Sequence, residues 1–213
     1  MPPDTIRVML VDDHAVVRSG VRLMLGTTGD ITVTGEASSG PAALQLITGQ
    51  IFDVAIVDIS LPGKNGLELL KQLRQLRPTM AVLMFSMYSE EVYAVRALRN
   101  GAVGYLTKES PTDVVIDAVR TAAAGRKYVS PTLVERLAEL LGDGGRFPHE
   151  SLSDRELEVM KLLASGISLV DIATKLHLSA STVTTYRSRI FEKTGLKGNT
   201  GLARYAIEHG LIE

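Results

Sequence analysis

The chain has 213 residues, 45% of them hydrophobic and 22% charged, with a formal net charge of −1, no cysteine and four histidines. That length and apolar content can build two ordinary buried cores. The lack of cysteine excludes a disulfide framework, a CxxC redox site and thiolate zinc, and the scattered histidines give no HExxH or comparable metal spacing.

No stretch approaches the run of about 18 apolar residues that a membrane span needs. The N-terminus Met1-Pro2-Pro3-Asp4-Thr5 lacks the basic and apolar regions of a signal peptide. The expected compartment is therefore the reducing cytoplasm, with no membrane partner. Charge is unevenly placed: residues 1–125 hold 11 Lys/Arg against 13 Asp/Glu, net −2. Thr182 to Tyr205 holds Arg187, Arg189, Lys193, Lys197 and Arg204 against Glu192, net +4. The basic stretch is either a footprint for a phosphate backbone or a solvated helix face, and charge alone leaves both open.

Ile6-Arg7-Val8-Met9-Leu10-Val11 has the pattern of a buried strand, and Ala15 to Leu25 carries Val17, Val21 and Leu25 on one helical stripe. Ile31 to Ala37, Val54 to Val57, Ala81 to Ser86 and Gly104 to Leu106 repeat the strand pattern. Helices start from Pro41, Gly66, Glu90 and Pro111 between and after them. A repeat of roughly 25 residues is that of βα units feeding a parallel sheet. Residues 1–125 are thus predicted to form an α/β domain with a five-stranded doubly wound parallel sheet. The turn Leu61-Pro62-Gly63-Lys64-Asn65-Gly66 separates the third strand from its helix, and Asn100-Gly101 closes the fourth helix.

After Gly125 the pattern gives a helix from Leu133 to Leu141 and then the glycine-rich, charged stretch Gly142 to Glu150, so residues 126–150 are predicted to be a linker. Residues 151–213 are predicted to be a small all-α four-helix domain. Ser153-Asp154-Arg155-Glu156 is a capping box, Ser168-Leu169-Val170-Asp171 repeats the device, and Ser179 can cap a third helix that ends at Gly195. A first helix ends at Gly166, a short one runs from Leu169 to Leu176, and a longer one covers Ser181 to Thr194, which is helix-turn-helix spacing. A fourth helix from Gly201 to His209 closes the domain.

In an open parallel sheet, ligands gather at the carboxyl ends of the strands. Asp12 and Asp13 follow the first strand, Asp58 ends the third, Ser86 ends the fourth and Lys108 follows the fifth. Carboxylates crowded together repel and raise one another's pKa, and a divalent cation supplies the reason for such a cluster: Mg²⁺ prefers hard oxygen ligands. Asp58 is then a candidate nucleophile towards a phosphoryl donor, with the metal and Lys108 neutralising the transferring group and Ser86 donating a hydrogen bond.

Val11-Asp12-Asp13-His14, Val57-Asp58-Ile59-Ser60-Leu61-Pro62-Gly63, Ser86 and Gly104-Tyr105-Leu106-Thr107-Lys108 resemble the two-component receiver domain over residues 6–124. The resemblance implies a flavodoxin-like fold and a phosphorylated Asp58, served by a sensor histidine kinase. It implies Mg²⁺ held by Asp12, Asp13, Asp58 and the Ser60 carbonyl. Ser86 and Lys108 would read the phosphoryl group, and Ser86 and Tyr105 would form the switch. Many receivers have proline after the lysine; Glu109 stands here, so a cis peptide is not expected from the sequence.

From Leu152 to Leu196 the chain is similar to the NarL/FixJ, or LuxR-type, DNA-binding domain, and the run Thr185 to Lys193 with the ending Arg204 to Ile212 resembles the branch of that family containing GacA, UvrY and BvgA. Leu162, Leu163, Ile172, Ala173, Leu176, Leu178, Val183 and Ile190 have the spacing of a common core. The helix Ser181 to Thr194 would enter the major groove of double-stranded DNA. Its candidate contacts are Thr182, Thr184, Thr185, Arg187, Ser188 and Arg189, with Lys193 and Lys197 suited to phosphates. Many relatives have lysine where this chain has Thr184. Leu202, Tyr205 and Ala206, with Leu211, form a seam that either pairs two copies as a homodimer or packs within one domain.

The implied function is a DNA-binding response regulator in which phosphate at Asp58 controls dimerisation and DNA binding, with RNA polymerase as a further partner. It is expected to be no enzyme beyond its own phosphotransfer and dephosphorylation. One alternative is a phosphorylation-independent transcription factor with a receiver-like docking domain. Another is an aspartyl-nucleophile phosphatase, against which stands Ile59-Ser60 where an Asp-x-Asp pair is wanted.

Overall fold

The computed structural model describes residues 5–62, 65–88, 90–131, 133–135 and 147–212. The chain forms two compact units, residues 1–137 and 138–213.

In the first unit the strands are β1 (Ile6–Val11), β2 (Ile31–Ala37), β3 (Val54–Val57), β4 (Ala81–Ser86) and β5 (Gly104–Thr107). The helices are α1 (Ala15–Gly26), α2 (Gly40–Gly49), α3 (Gly66–Leu76), α4 (Glu90–Arg99) and α5 (Thr112–Ala123). All strand pairings are parallel, in the order β2-β1-β3-β4-β5. This is the doubly wound sheet read from the sequence. Every residue of β3 and β4 is buried, which is why these strands are unbroken apolar runs rather than alternating ones: helices cover both faces of a parallel sheet. One apolar cluster joins Leu25, Val54, Ile56, Leu83 and Leu106 to Val115, Ala118 and Val119 of α5.

The chain moves outward from β1 to β2 and then returns to place β3 on the other side of β1. This reversal leaves a crevice beyond the carboxyl ends of β1 and β3. The turn residues Gly63 and Lys64 lie outside the described residues, but both flanks of that turn are fixed. Asn65 caps α3 by accepting a hydrogen bond from the Leu67 amide at 2.9 Å, and the Gly66 amide donates to the Ile59 carbonyl at 2.8 Å. Only glycine fits at position 66, because a Cβ there would lie 1.9 Å from the Asp58 carbonyl oxygen.

In the second unit a 3₁₀ turn (Pro148–Ser151) precedes α6 (Asp154–Ala164), α7 (Leu169–Leu176), α8 (Ala180–Thr194) and α9 (Gly198–Glu208). The Ser153 capping box is present with both of its hydrogen bonds. Ser168 differs from the expected device: its hydroxyl accepts from the Asp171 amide and donates to the Asp171 carboxylate at 2.6 Å, so the acid answers the hydroxyl rather than the Ser168 amide. His177 ends α7 in the left-handed region (φ 53°), and Gly195 ends α8 (φ 69°). The last helix begins at Gly198 rather than Gly201. Residues 133–135 are helical; the rest of the helix expected to Leu141, and the stretch from Gly142 to Arg146, lie outside the described residues.

Leu157, Met160, Leu163, Ile172, Leu176, Val183 and Ile190 form the core of this unit, while Leu162 and Leu178 are half-buried. Leu202, Tyr205, Ala206 and Leu211 are 0%, 9%, 0% and 1% exposed. The seam proposed for pairing two copies is therefore spent inside its own domain. Leu202, Tyr205 and Ala206 are the buried residues of α9, and α9 packs against α6.

Candidate functional site

Three elements that are distant in the chain deliver the acidic site to the end of the sheet. Continuation of the ladder fixes the backbones: the Asp12 amide donates to Ala37, the Asp58 amide to Val11 at 2.8 Å, and the Lys108 amide to Ser86 at 2.8 Å. With the main chain held in this way, the side chains converge. Lys108 Nζ lies 2.7 Å from Asp12 Oδ2 and 2.7 Å from Asp58 Oδ2. The two carboxylates are 7% and 2% exposed, and the lysine side chain is 8% exposed.

Burial pushes the Asp58 carboxyl above the usual carboxylate range; the Lys108 ammonium opposes this, and the Asp12 charge reinforces it. Burial works against the Lys108 ammonium, but its contacts with Asp12 and Asp58 outweigh that effect and raise its pKa. Desolvated charges of this kind persist because they are paired.

Asp13 is at the rim, 36% exposed at its side chain, where its Oδ1 lies 2.8 Å from His14 Nδ1. His14 also approaches Asp12 Oδ1 at 3.3 Å. Ligand atoms of Asp12, Asp13, His14 and Asp58 all lie within 4.8 Å of one another. An acidic pocket of Asp12, Asp13 and Asp58 is compatible with a divalent metal, since its oxygens are hard donors arranged around one point. His14 was not singled out in the sequence; a histidine after two aspartates has no spacing signal that separates a ligand from a loop residue. The Ser60 amide donates to Asp58 Oδ1 at 3.2 Å, which places the Ser60 backbone beside the site.

Ser86 is fully buried and meets the site through its carbonyl, while its hydroxyl accepts from the Tyr88 amide at 3.4 Å. Tyr105 points inward at 1% exposure and donates its phenol proton to the Tyr88 carbonyl at 2.8 Å. Burial raises its pKa well above that of a free phenol, with a hydrogen bond to Ser86 acting in the opposite direction. Among the described residues no peptide bond is cis, the Lys108–Glu109 bond included.

The eight residues predicted for DNA divide into groups. Thr184, Thr185, Ser188 and Arg189 are exposed on α8, on the side opposite the buried Val183 and Ile190. Thr182 is half-buried, its hydroxyl 2.7 Å from that of the cap residue Ser179. Arg187 lies over the Phe191 ring at 5.2 Å and reaches Asn199 at 3.5 Å. Lys197 is exposed at the start of α9.

Lys193 departs from expectation. Its ammonium donates to Glu156 Oε2 at 2.6 Å, and Glu156 is 2% exposed. Burial would raise the Glu156 pKa, but Lys193 and the Ser153 amide and hydroxyl hold it below the usual range. Lys193, exposed at 39% of its side chain, is thus the counter-charge that lets a buried carboxylate remain ionised.

Comparison with known proteins agrees with both halves. The family of the response regulator receiver domain matches residues 8–120, and the luxR family of bacterial regulatory proteins matches residues 150–206. The chain is 34% identical over 210 residues to the response regulator GacA of Pseudomonas aeruginosa, covering 98% of both chains. It is also 34% identical over 208 residues to the response regulator UvrY of Escherichia coli K12, covering 97% of this chain and 95% of UvrY.

Among solved structures it is similar to the response regulator ChrA of a heme-sensing two-component system (TM-score 0.52, 34% identity, 98% of this chain and 100% of ChrA). It is similar as well to RcsB from Salmonella enterica serovar Typhimurium, bound to a promoter in the presence of the phosphomimetic BeF3⁻ (TM-score 0.67, 26% identity, 94% of this chain and 98% of RcsB). No helix of the described residues is long and apolar enough to cross a membrane. The chain belongs to the two-component response regulators that join a receiver domain to a LuxR-type DNA-binding domain, and it is a regulator of transcription.

Proposed function

We propose that Asp58 accepts a phosphoryl group from a sensor histidine kinase and that the phosphorylated receiver favours sequence-specific binding of double-stranded DNA by α8. The observation that carries this reading is the placement of one ammonium 2.7 Å from two buried carboxylates at the ends of β1 and β3. In the transfer, an Asp58 oxygen attacks phosphorus, the bond to the donor imidazole breaks, and the leaving nitrogen keeps the electron pair and takes a proton. Lys108, drawn from Asp58 to the incoming oxygens, neutralises charge on the phosphoryl group, and Ser86 donates a hydrogen bond to it. Asp12, Asp13, Asp58 and the Ser60 carbonyl would hold Mg²⁺, which supplies further charge neutralisation when bound.

Ser86 and Tyr105 are the switch: a phosphoryl group that engages the Ser86 hydroxyl changes the surroundings of the buried phenol beside it. Such a change alters DNA binding only through unequal affinity for two states of the chain. The receiver is taken as residues 1–125, the linker as 126–150 and the DNA-binding domain as 151–213, working in the cytoplasm. Two copies would bind inverted half-sites, with surfaces other than the buried seam of α9 in contact; RNA polymerase is a further partner.

The test is incubation with acetyl phosphate or phosphoramidate and Mg²⁺, followed by intact mass and by binding to selected DNA. A phosphate adduct that Asp58→Asn removes, together with tighter DNA binding, is expected. An adduct that survives Asp58→Asn, or DNA affinity indifferent to phosphorylation, would overturn the reading and favour the phosphorylation-independent alternative.

A further inference from the structure

Ser181, Thr184, Thr185 and Ser188 recur at i, i+3, i+4 and i+7, and so form one stripe along α8. All four are exposed, while Val183 and Ile190 on the opposite side are 0% exposed. The hydroxyl protons of Thr184, Thr185 and Ser188 are already committed inside the helix. Thr184 Oγ1 donates to the Ala180 carbonyl at 2.9 Å, Thr185 Oγ1 to Ser181 at 3.0 Å and Ser188 Oγ to Thr184 at 3.2 Å. Ser181 Oγ lies 2.8 Å from the hydroxyl of the cap residue Ser179.

Bonding back to the preceding turn selects one side-chain rotamer for threonine. What the stripe then offers outward is methyl groups and acceptor lone pairs, not free donors. Glu192, four residues beyond Ser188 and exposed, extends the row with another acceptor. Arg187, which could have supplied donors, is turned to the flank by Phe191 and Asn199.

In the major groove guanine presents the acceptors N7 and O6, adenine and cytosine present exocyclic amine donors, and thymine presents a methyl group. We infer that the Thr184–Thr185–Ser188 face reads thymine methyls, its acceptor oxygens meeting exocyclic amines beside them, so that the centre of each half-site holds thymines at the methyl contacts and guanine contact is left to Arg189. This rests on the reading of α8 as the helix that enters the groove. A lysine at position 184, as in many members of the family, would present the opposite chemistry, a donor for guanine.

The experiment recovers bound sequences from a randomised duplex pool with the full chain phosphorylated by phosphoramidate. It then replaces single thymines by deoxyuridine, which lacks the methyl, and single guanines by 7-deazaguanine, which lacks N7. Loss of about fourfold in affinity is expected at one or more thymines of each half-site, the worth of one buried methyl group. Thr184→Val with Thr185→Val, which keep a methyl and remove the hydroxyls, retain that penalty; Thr184→Ser with Thr185→Ser, which keep the hydroxyls and remove the methyls, abolish it. A recovered site insensitive to deoxyuridine, or one whose deoxyuridine penalty survives the double change Thr184→Ser with Thr185→Ser, overturns the inference while leaving α8 as the DNA-binding helix. A pool with no enriched sequence overturns both.

Discussion

Replacing Lys108 by methionine removes the ammonium that lies 2.7 Å from both Asp12 and Asp58 while keeping most of the side-chain volume. Taking away one partner of a buried pair costs about 3–5 kcal/mol when the remaining charge is stranded. Here two carboxylates, 7% and 2% exposed, are left facing each other. The protein can escape that cost by protonating one of them, and burial already raises the Asp58 pKa with Lys108 the principal opposing influence. Without Lys108 the pKa climbs further.

A group whose folded pKa exceeds its unfolded value contributes stability that is complete below the unfolded pKa, about 3.9 for aspartate, and is lost as pH rises through the folded pKa. Lys108→Met should therefore be closest to the parent near about pH 4, lose progressively more as pH rises, and lose roughly 3 kcal/mol or more near about pH 8. Hydrogen exchange of the β3 and β5 amides, corrected for its intrinsic pH dependence, reads the receiver separately from the second unit. A loss of protection that is the same at both pH values would refute the account of Asp58 as a burial-strained carboxylate held ionised by Lys108.

Other outcomes follow from the remaining geometry. Gly66→Ala should disrupt the first unit by several kcal/mol, since the added Cβ would meet backbone at 1.9 Å rather than a side chain able to move; circular dichroism melts would show a sharply lowered first transition, and phosphate adduct formation should fail with it. Lys193→Met should destabilise the second unit by about 1–3 kcal/mol in thermal melts and leave the salt dependence of DNA binding nearly unchanged, because its charge serves Glu156. Lys197→Ala should leave stability intact and lower the slope of log affinity against log salt by about one, as a phosphate contact does. Leu202→Ala should cost about 2–5 kcal/mol of second-unit stability, independent of protein concentration, as expected of a core residue rather than a subunit contact.

The strands could be read almost residue by residue because burial on both faces leaves β-branched apolar runs such as Val54–Val57, ended by the aspartate at position 58. The helix starts at Ser153, Ser168 and Ser179 were likewise marked, since each cap is a local hydrogen bond between residues three apart. The start of α9 was missed by three residues: Gly198, Asn199 and Thr200 have low helical propensity, and packing against α6 overrides it. Partner choice was less legible still. The apolar face of α9 has a clear period, but periodicity does not say whether the surface it meets belongs to the same chain. The pairing of Lys193 with Glu156 joins residues 37 apart, so a lysine on a basic stripe looked like one more cation for phosphate.

Asp58 and its counter-ion stand 50 residues apart in the chain, just after β3 and just after β5, and β5 is the sheet's outermost strand on that side. A nascent polypeptide that has produced β1 to β4 holds its aspartates but not the ammonium that gathers them. On the proposed function, competence to take phosphate arrives only when the edge of the sheet closes, and a half-made molecule stays deaf to the signal.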